Sequence, residues 1–191
     1  ERHDNRMPTP LEKARQAPDS MKGRILSTAR KLFGEYGFHG VTTRMIAKEV
    51  GIDISTLYYH WGEKQDLYEA VLADVGDEIQ QKLNEIEHKV SGQSLAGRLE
   101  IALDMMCDYL FSRPEISNLI LFGYFNKTRH GVTLDIKMSE HIANIAVAMD
   151  LASDKQQISI QAQARILAVW NTVLNFISGE SLFRPMLETN R

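Results

Sequence analysis

Residues 42–64 read TTRMIAKEVGIDISTLYYHWGEK, and this stretch decides the fold. Ile46, Ala47 and Val50 recur at the spacing of one helical face, and Gly51 can take the left-handed conformation that ends a helix. Two residues on, Asp53 is a good N-cap for a second helix, and Ile52 and Leu57 close a small core between the two. Two short helices around one tight corner make a helix-turn-helix. The second carries Ser55, Thr56, Tyr58, Tyr59 and His60, hydrogen-bonding side chains on an element of the size that enters the DNA major groove.

Working outward, Ile25, Leu26, Ala29, Leu32, Phe33 and Tyr36 form the stripe of an amphipathic helix that stops at Gly37 and braces the motif. After a short loop, Thr42 or Thr43 caps the next helix. Its first amides and positive dipole end are then open to a phosphate, with Arg44 one step further in. On the other side, Leu67, Val71, Val75, Ile79, Leu83, Ile86 and Val90 fall on one stripe and predict a single helix over about 63–90. At 1.5 Å per residue it reaches about 40 Å, long enough to act as a lever between a reading head and a body. Upstream, residues 1–19 contain Pro8, Pro10 and Pro18 and no apolar period, which reads as a flexible arm. The chain therefore divides into an arm (1–19), a helix-turn-helix DNA-binding domain (20–66) and a helical effector-binding and dimerisation domain (67–191).

The body is expected to be helical throughout. Helical spacing resumes from Leu95 to Arg113 and halts at Pro114, and residues 115–130 read as one or two short helices. Period alone leaves a buried strand open for Leu119 to Phe125, but no second strand-like segment offers it a partner, so the fold class is all-α. Two segments, Ile142 to Ala152 and Ile166 to Ile177, are apolar around most of the helix circumference. They predict a four-helix dimer interface through Ile142, Ile145, Ala146, Met149, Leu167, Trp170, Val173, Leu174 and Ile177. A cavity for a largely apolar effector is expected among Met105, Met106, Tyr109, Phe122, Tyr124, Phe125 and Trp170. Glu100, Asp104 and Asp108 read as a solvated acidic face, since no His pair of metal-ligand spacing accompanies them.

A net charge of −3 looks wrong for a nucleic-acid binder until it is divided along the chain. Residues 1–68 hold 11 Lys/Arg against 9 Asp/Glu, whereas residues 69–191 hold 11 against 16, so mild positive charge gathers around the reader. There is no run of about 18 uncharged apolar residues and no signal-peptide centre, so a cytoplasmic protein without a membrane partner is expected. Cys107 has no second cysteine to pair with and reads as a buried inert thiol. The sequence lacks a Gly-rich phosphate loop, a nucleophile elbow and zinc-ligand spacing, which argues against an enzyme and calls for no cofactor or metal.

Gly37 to Ile52, followed by Ser55-Thr56-Leu57-Tyr58-Tyr59-His60-Trp61 and Lys64-Gln65-Asp66-Leu67, closely resembles the TetR family of bacterial transcriptional regulators over about residues 20–72. The resemblance implies a homodimer with an N-terminal three-helix DNA-binding domain and a helical body that holds an inducer. By matched position, it implies that Thr43 bonds a phosphate and that Arg44 reaches a guanine edge or the backbone. Ser55, Thr56 and Tyr58 would face the groove, Tyr59 and His60 would touch phosphates, and Lys64 would hold the backbone. Three positions depart from the family pattern. Ile54 replaces a polar or small residue and suits a thymine methyl, Trp61 replaces the commoner phenylalanine, and Glu63 replaces a small N-cap. The expected function is a ligand-responsive repressor that binds an inverted-repeat operator as a dimer and is released by a largely apolar small molecule. The competing reading is a helical ligand-binding or partner-binding protein whose helix-turn-helix does not act in DNA recognition, and duplex binding separates the two.

Overall fold

Six helices begin on a Ser, Thr or Asp whose side chain accepts an amide from its own first turn: Thr9, Ser20, Thr42, Asp53, Ser94 and Ser159. The computed structural model describes residues 7–125 and 138–188 and is all-α over them. In chain order the helices are α1 (Pro10–Gln16), α2 (Met21–Gly40), α3 (Thr43–Val50), α4 (Ile54–Trp61), α5 (Lys64–Val90), α6 (Leu95–Ser112), α7 (Pro114–Phe125), α8 (Met138–Ala148), α9 (Ile160–Ser178) and α10 (Glu180–Glu188). They form two compact units divided within α5, between Asp74 and Val75.

The first unit packs the predicted α2 stripe against the motif. Ile25, Leu26, Ala29 and Phe33 of α2 are buried, as are Ile46, Ala47 and Val50 of α3, Leu57 and Trp61 of α4, and Leu67, Tyr68 and Val71 of α5. Side chains of this kind contribute roughly 2 kcal/mol each when fully buried, which lets elements of only eight residues hold their places. Phe33 meets Tyr68 edge-on with ring centroids 5.0 Å apart, and Phe38 lies 4.8 Å from the same ring.

The corner closes as the sequence predicts. Gly51 adopts φ 81°, ψ 38°, and its amide and that of Ile52 each donate to the Ala47 carbonyl at 2.9 Å. Gly37 also has a positive φ, 69°, but it interrupts α2 rather than ending it, and the helix resumes as far as Gly40. Where Glu63 replaces a small cap, Asp66 answers from three residues on: its Oδ2 accepts the Glu63 amide at 2.8 Å and secures the start of α5.

The arm requires correction. Thr9 accepts the Glu12 amide at 3.2 Å while Glu12 Oε2 accepts the Thr9 amide at 2.6 Å, a complete capping box with Pro10 at the first helical position. The resulting α1 buries Ala14 and is tied down by Arg15, whose Nε donates to Asp74 at 2.8 Å beside the Arg30–Asp74 pair of α2. Residues 10–16 are thus a docked helix, not a mobile arm.

In the second unit, Pro114 both halts α6 and opens α7, so the Leu119 to Phe125 run is helical and the strand option closes. Residues 126–130 of the predicted short helices lie outside the described residues. Leu110, Ile116, Leu119 and Leu174 are buried side chains of α6, α7 and α9, and Ala146 of α8 is buried with Ile142 and Ile166. Phe176 of α9 joins Phe111 of α6 edge-on at 6.0 Å and stacks on Phe183 of α10 at 5.6 Å. Among the described residues no single helix is long and apolar enough to cross a membrane.

Candidate nucleic-acid interface

The eight residues of α4 divide cleanly by helical position. Leu57 and Trp61, four apart, are the two buried residues of α4. Ser55, Tyr58 and Tyr59 are exposed on the opposite side, Tyr58 by 41% and Tyr59 by 85%, which is unusual for two consecutive aromatics unless they serve a partner. The Tyr59 ring sits edge-on to His60 at 5.2 Å. Ile54 is half-buried at the start of the helix, so part of its apolar surface remains available.

The N-cap absorbs one of the predicted groove residues. Asp53 accepts the Thr56 amide at 2.7 Å through Oδ1 and the Thr56 hydroxyl at 3.1 Å through Oδ2. The Thr56 amide, followed by the Thr56 hydroxyl, holds the Asp53 carboxyl below its ordinary pKa. Thr56 is therefore directed toward Asp53, a consequence of the cap geometry that the Asp-x-x-Thr spacing contains.

At the start of α3, Thr42 is exposed and its Oγ1 accepts the Met45 amide at 3.2 Å, which settles the cap on Thr42 rather than Thr43. Thr43 is half-buried and Arg44 is exposed. Their amides fall in the first turn, where an α-helix has no internal acceptor, and face outward with the positive end of the dipole. His60 is half-buried, and burial followed by the charge of Lys22 pulls its pKa below the ordinary histidine value. At neutral pH it accordingly offers a ring N–H rather than a full positive charge.

In the first unit, three basic side chains turn inward to satisfy helix C-termini, a role that sequence reasoning missed. Lys22 Nζ donates to the His60 carbonyl of α4 at 2.5 Å, and Arg24 donates to the Val50 carbonyl of α3 at 3.0 Å. Lys64 Nζ donates to Phe38 and Val41 carbonyls at 3.0 and 2.9 Å and stands 4.1 Å over the Phe38 ring. Burial lowers the pKa of Lys64, a desolvation cost offset by those carbonyls and that ring. Lys64, read as a clamp on the DNA backbone, is thus placed as a brace on the end of α2. The available signal was a cation facing the last carbonyls of a helix, legible only once the chain is folded.

Trp61 explains its own departure from phenylalanine. Its Nε1 donates to the Lys22 carbonyl at 3.0 Å, while Lys22 Nζ lies 5.3 Å over the indole. Trp61→Phe keeps the ring and loses the donor. Thermal unfolding of this variant is expected to show a loss of about 1 kcal/mol; an unchanged melt would assign the indole to shape alone.

The second unit holds a cavity of about 530 Å³ walled by α5, α6, α8 and α9. Of the residues expected to line a pocket, Met106 and Trp170 do. Met105, Tyr109, Phe122 and Tyr124 do not: Tyr109 lies under Lys82 and Arg113, Tyr124 is 50% exposed, and no described side chain of α7 reaches the wall. The side chain of Phe125 lies outside the described residues.

The residues read as a dimer surface are divided too. Ile142, Ala146, Leu174 and Ile177 are buried within the protomer, Leu167 packs on the α8–α9 cluster, and Ile145, Met149, Trp170 and Val173 line the cavity. Their apolar excess serves the pairing of α8 with α9 and the cavity wall. Exposed apolar side chains lie on α10, at Leu182, Met186 and Leu187, and on α9, at Ile160, Val169 and Phe176. Glu100, Asp104 and Asp108 are exposed, and burial, followed by the charges of Asp104 and Asp108, pushes the Cys107 thiol above its ordinary pKa, so it stays protonated and unreactive at neutral pH.

Residues 25–71 match the family described as bacterial regulatory proteins, tetR family. Over 49 residues the chain is 45% identical to the biofilm operon icaADBC negative transcriptional regulator IcaR of Staphylococcus aureus (strain Newman), covering 26% of each chain. It is 41% identical over 49 residues to the transcriptional regulator UidR of Escherichia coli (strain K12), covering 26% of this chain and 25% of that one. The chain thus spans about a quarter of the length of these curated relatives. Its fold resembles that of the TetR-family regulator PfmR of Thermus thermophilus, with a TM-score of 0.62 at 20% identity over 87% of this chain and 88% of that one. A tetR-family structure from Shewanella sp. PV-4 matches with a TM-score of 0.56 at 22% identity, over 84% and 87%. Over residues 25–71, within the N-terminal unit, the chain is similar to the TetR family.

Proposed function

We propose that this chain is a cytoplasmic, ligand-responsive transcriptional regulator of the TetR family, a repressor that binds an inverted-repeat operator as a homodimer and is released by a largely apolar small molecule. The observation that carries the reading is the exposed row of Ser55, Tyr58 and Tyr59 on a helix anchored from behind by Leu57 and Trp61. In this reading Ser55 and Tyr58 face base edges, and Ile54 covers a thymine methyl. Thr42, Thr43, Arg44, Tyr59 and His60 meet the phosphate backbone and set the register.

The homodimer follows from the reader's size, since one eight-residue helix covers only a few base pairs and a two-fold partner supplies the second half-site about one turn away. The exposed apolar side chains of α10 are the best candidates for that association, in place of the buried residues of α8 and α9. The cavity supplies a place for an effector. Such a ligand releases DNA only by the difference between its affinities for the DNA-competent and released states.

Selection from a random duplex pool should return an inverted repeat bound by the full chain. Its affinity should fall steeply with salt, by a log–log slope of roughly −0.9 per neutralised phosphate. Ser55→Ala is expected to relax preference at one position of each half-site by about 1 kcal/mol while leaving the salt slope unchanged. Salt-insensitive binding without sequence preference would instead favour a helical binding protein whose helix-turn-helix does not read DNA.

A further inference from the structure

The cavity of the second unit has an aliphatic interior, with Leu83 and Ile86 of α5, Leu103 of α6 and Val173 of α9 in its wall. Its rim is aliphatic too. Leu95, Leu99, Leu151 and Val169 line the same space and are nevertheless exposed, so the chamber meets water across an apolar lip. Apolar surface held in water around an open chamber favours a ligand whose body covers it.

The charges on the walls decide the other end of that ligand. Arg165 of α9 borders the chamber and is exposed, and among the described residues it has no hydrogen bond or ion pair. An arginine can line an apolar wall with its stem and keep its guanidinium in water. A smaller recess of about 230 Å³ shares Glu87, Val90, Asn144 and Ala148 with the chamber and adds Arg98 and Lys155. Arg98 is largely committed there: its Nε donates to the Gln93 carbonyl at 2.8 Å, its Nη1 donates to the Ala148 carbonyl, and Asp150 lies 3.4 Å away. Lys155 is exposed and, among the described residues, unpaired.

Among the described residues Glu87 is the one carboxylate of the two linings. It accepts the Asn144 amide at 3.2 Å and shares the recess wall with both Arg98 and Lys155. His141, buried in the chamber lining, is neutral or cationic and sets no negative charge against an anion. The two linings thus place three cations against one carboxylate, and the unpaired charge of the chamber itself is Arg165, on wall that the recess does not share. A ligand cation would be repelled at the rim by Arg165 and would find Glu87 already answered by Asn144 and the recess cations.

We infer that the cavity takes an aliphatic acid in its carboxylate form, with the chain in the chamber and the carboxylate at the rim on Arg165. This names the chemical class of the effector and rests on the ligand-responsive reading above. At the rim the carboxylate keeps part of its hydration and avoids the cost of burying an ion, while the guanidinium offers two parallel N–H donors that match its two oxygens. The cavity volume, about 530 Å³, falls within the range of roughly 300–1,000 Å³ usual for small organic ligands.

The test is calorimetric titration of the full-length chain near neutral pH with decanoate, decanol and decylammonium, all below micelle-forming concentrations. Decanoate is expected to bind about fivefold more tightly than decanol and at least about tenfold more tightly than decylammonium. Lengthening the acid to dodecanoate should tighten binding about threefold for each added CH₂, the mark of a chain in an apolar chamber. Arg165→Gln should bring decanoate down to the level of decanol and leave decanol unchanged, and Arg165→Glu should make decylammonium the tighter ion. Arg165 is exposed, so both variants spare the core, and an unchanged melt checks this. Lys155→Gln should leave decanoate within about twofold, as an exposed charge off the chamber wall would. Decanol or decylammonium binding as tightly as decanoate, decanoate affinity unmoved by Arg165→Gln, loss of it on Lys155→Gln instead, or no binding of any probe would overturn the inference. Duplex titration run in parallel keeps the two readings apart. Decanoate binding that leaves duplex affinity unmoved retains the ligand class and removes the effector role, whereas duplex release by decanol or decylammonium but not by decanoate does the reverse.

Discussion

Leu57→Ala is expected to destabilise the reading head by about 3 kcal/mol and to abolish sequence-selective duplex binding, although the side chain it truncates is wholly buried. Only Leu57 and Trp61 are buried on the eight-residue α4, so the helix is seated by two side chains and the bonds at its ends. Alone in water a helix this short does not persist, because nucleation is unfavourable and few bonds repay it. Truncating Leu57 also leaves a void between α4 and the helices behind it, where the neighbours relax only in part. Hydrogen exchange on the full-length chain should show protection lost first across α3 and α4 while α9 retains it. Tyr59→Ala is the control. Being 85% exposed, Tyr59 should leave the melt within about 0.5 kcal/mol and still weaken duplex binding. If Leu57→Ala melts like the parent chain, α4 is held by something other than its buried stripe.

The reading head was legible because its signals are local. Gly51, Asp53 and the Ile46, Ala47 and Val50 face act within a few residues of one another, and backbone conformation, cap and burial agree with the sequence at each. The long stripe from Leu67 to Val90 was legible for the same reason, since a sustained period leaves little choice of element. What escaped reading near the N-terminus was also local but disguised. Thr9-Pro10-Leu11-Glu12 carries every part of a capping box, yet the surrounding charges and prolines read as an arm. Its docking depends on Asp74, more than fifty residues away, which no local pattern contains.

The second unit shows the limit of periodicity. An apolar helix circumference tells that a helix is covered but not by what. Ile142 and Ala146 are covered by their own chain, while Ile145 and Met149, one turn along, border a cavity. Residue type misled in a complementary way. Aromatic and methionine side chains suggested a pocket around α7, whereas the wall is built mainly of leucine, isoleucine, valine and alanine from α5, α6, α8 and α9. Its buried polar groups, on His141, Asn144 and Trp170, are ordinary helix residues in the sequence and take their place in the wall only through the fold.

Lys64 gives the second large effect and separates two roles that one sequence position can hold. Lys64→Met keeps the aliphatic stem and removes the ammonium, leaving the Phe38 and Val41 carbonyls without their shared donor. The cost expected for losing a charged, part-buried donor is about 2 kcal/mol, seen as a lower denaturation midpoint with the steepness of the transition unchanged. A residue that acts by neutralising a phosphate behaves differently: its removal lowers the log–log salt slope of duplex binding by about 0.9 and leaves the melt nearly untouched. Because both carbonyls lie at the end of α2, just before the Thr42 cap, the bracing role predicts a further coupling. With Lys64→Met, protection from exchange should fall at the start of α3 as well as at the end of α2, and duplex affinity should drop equally for all sequences without a change in salt slope. A reduced slope with an intact melt would return Lys64 to the DNA backbone and leave the end of α2 to be held by Phe38 and Tyr68 packing alone.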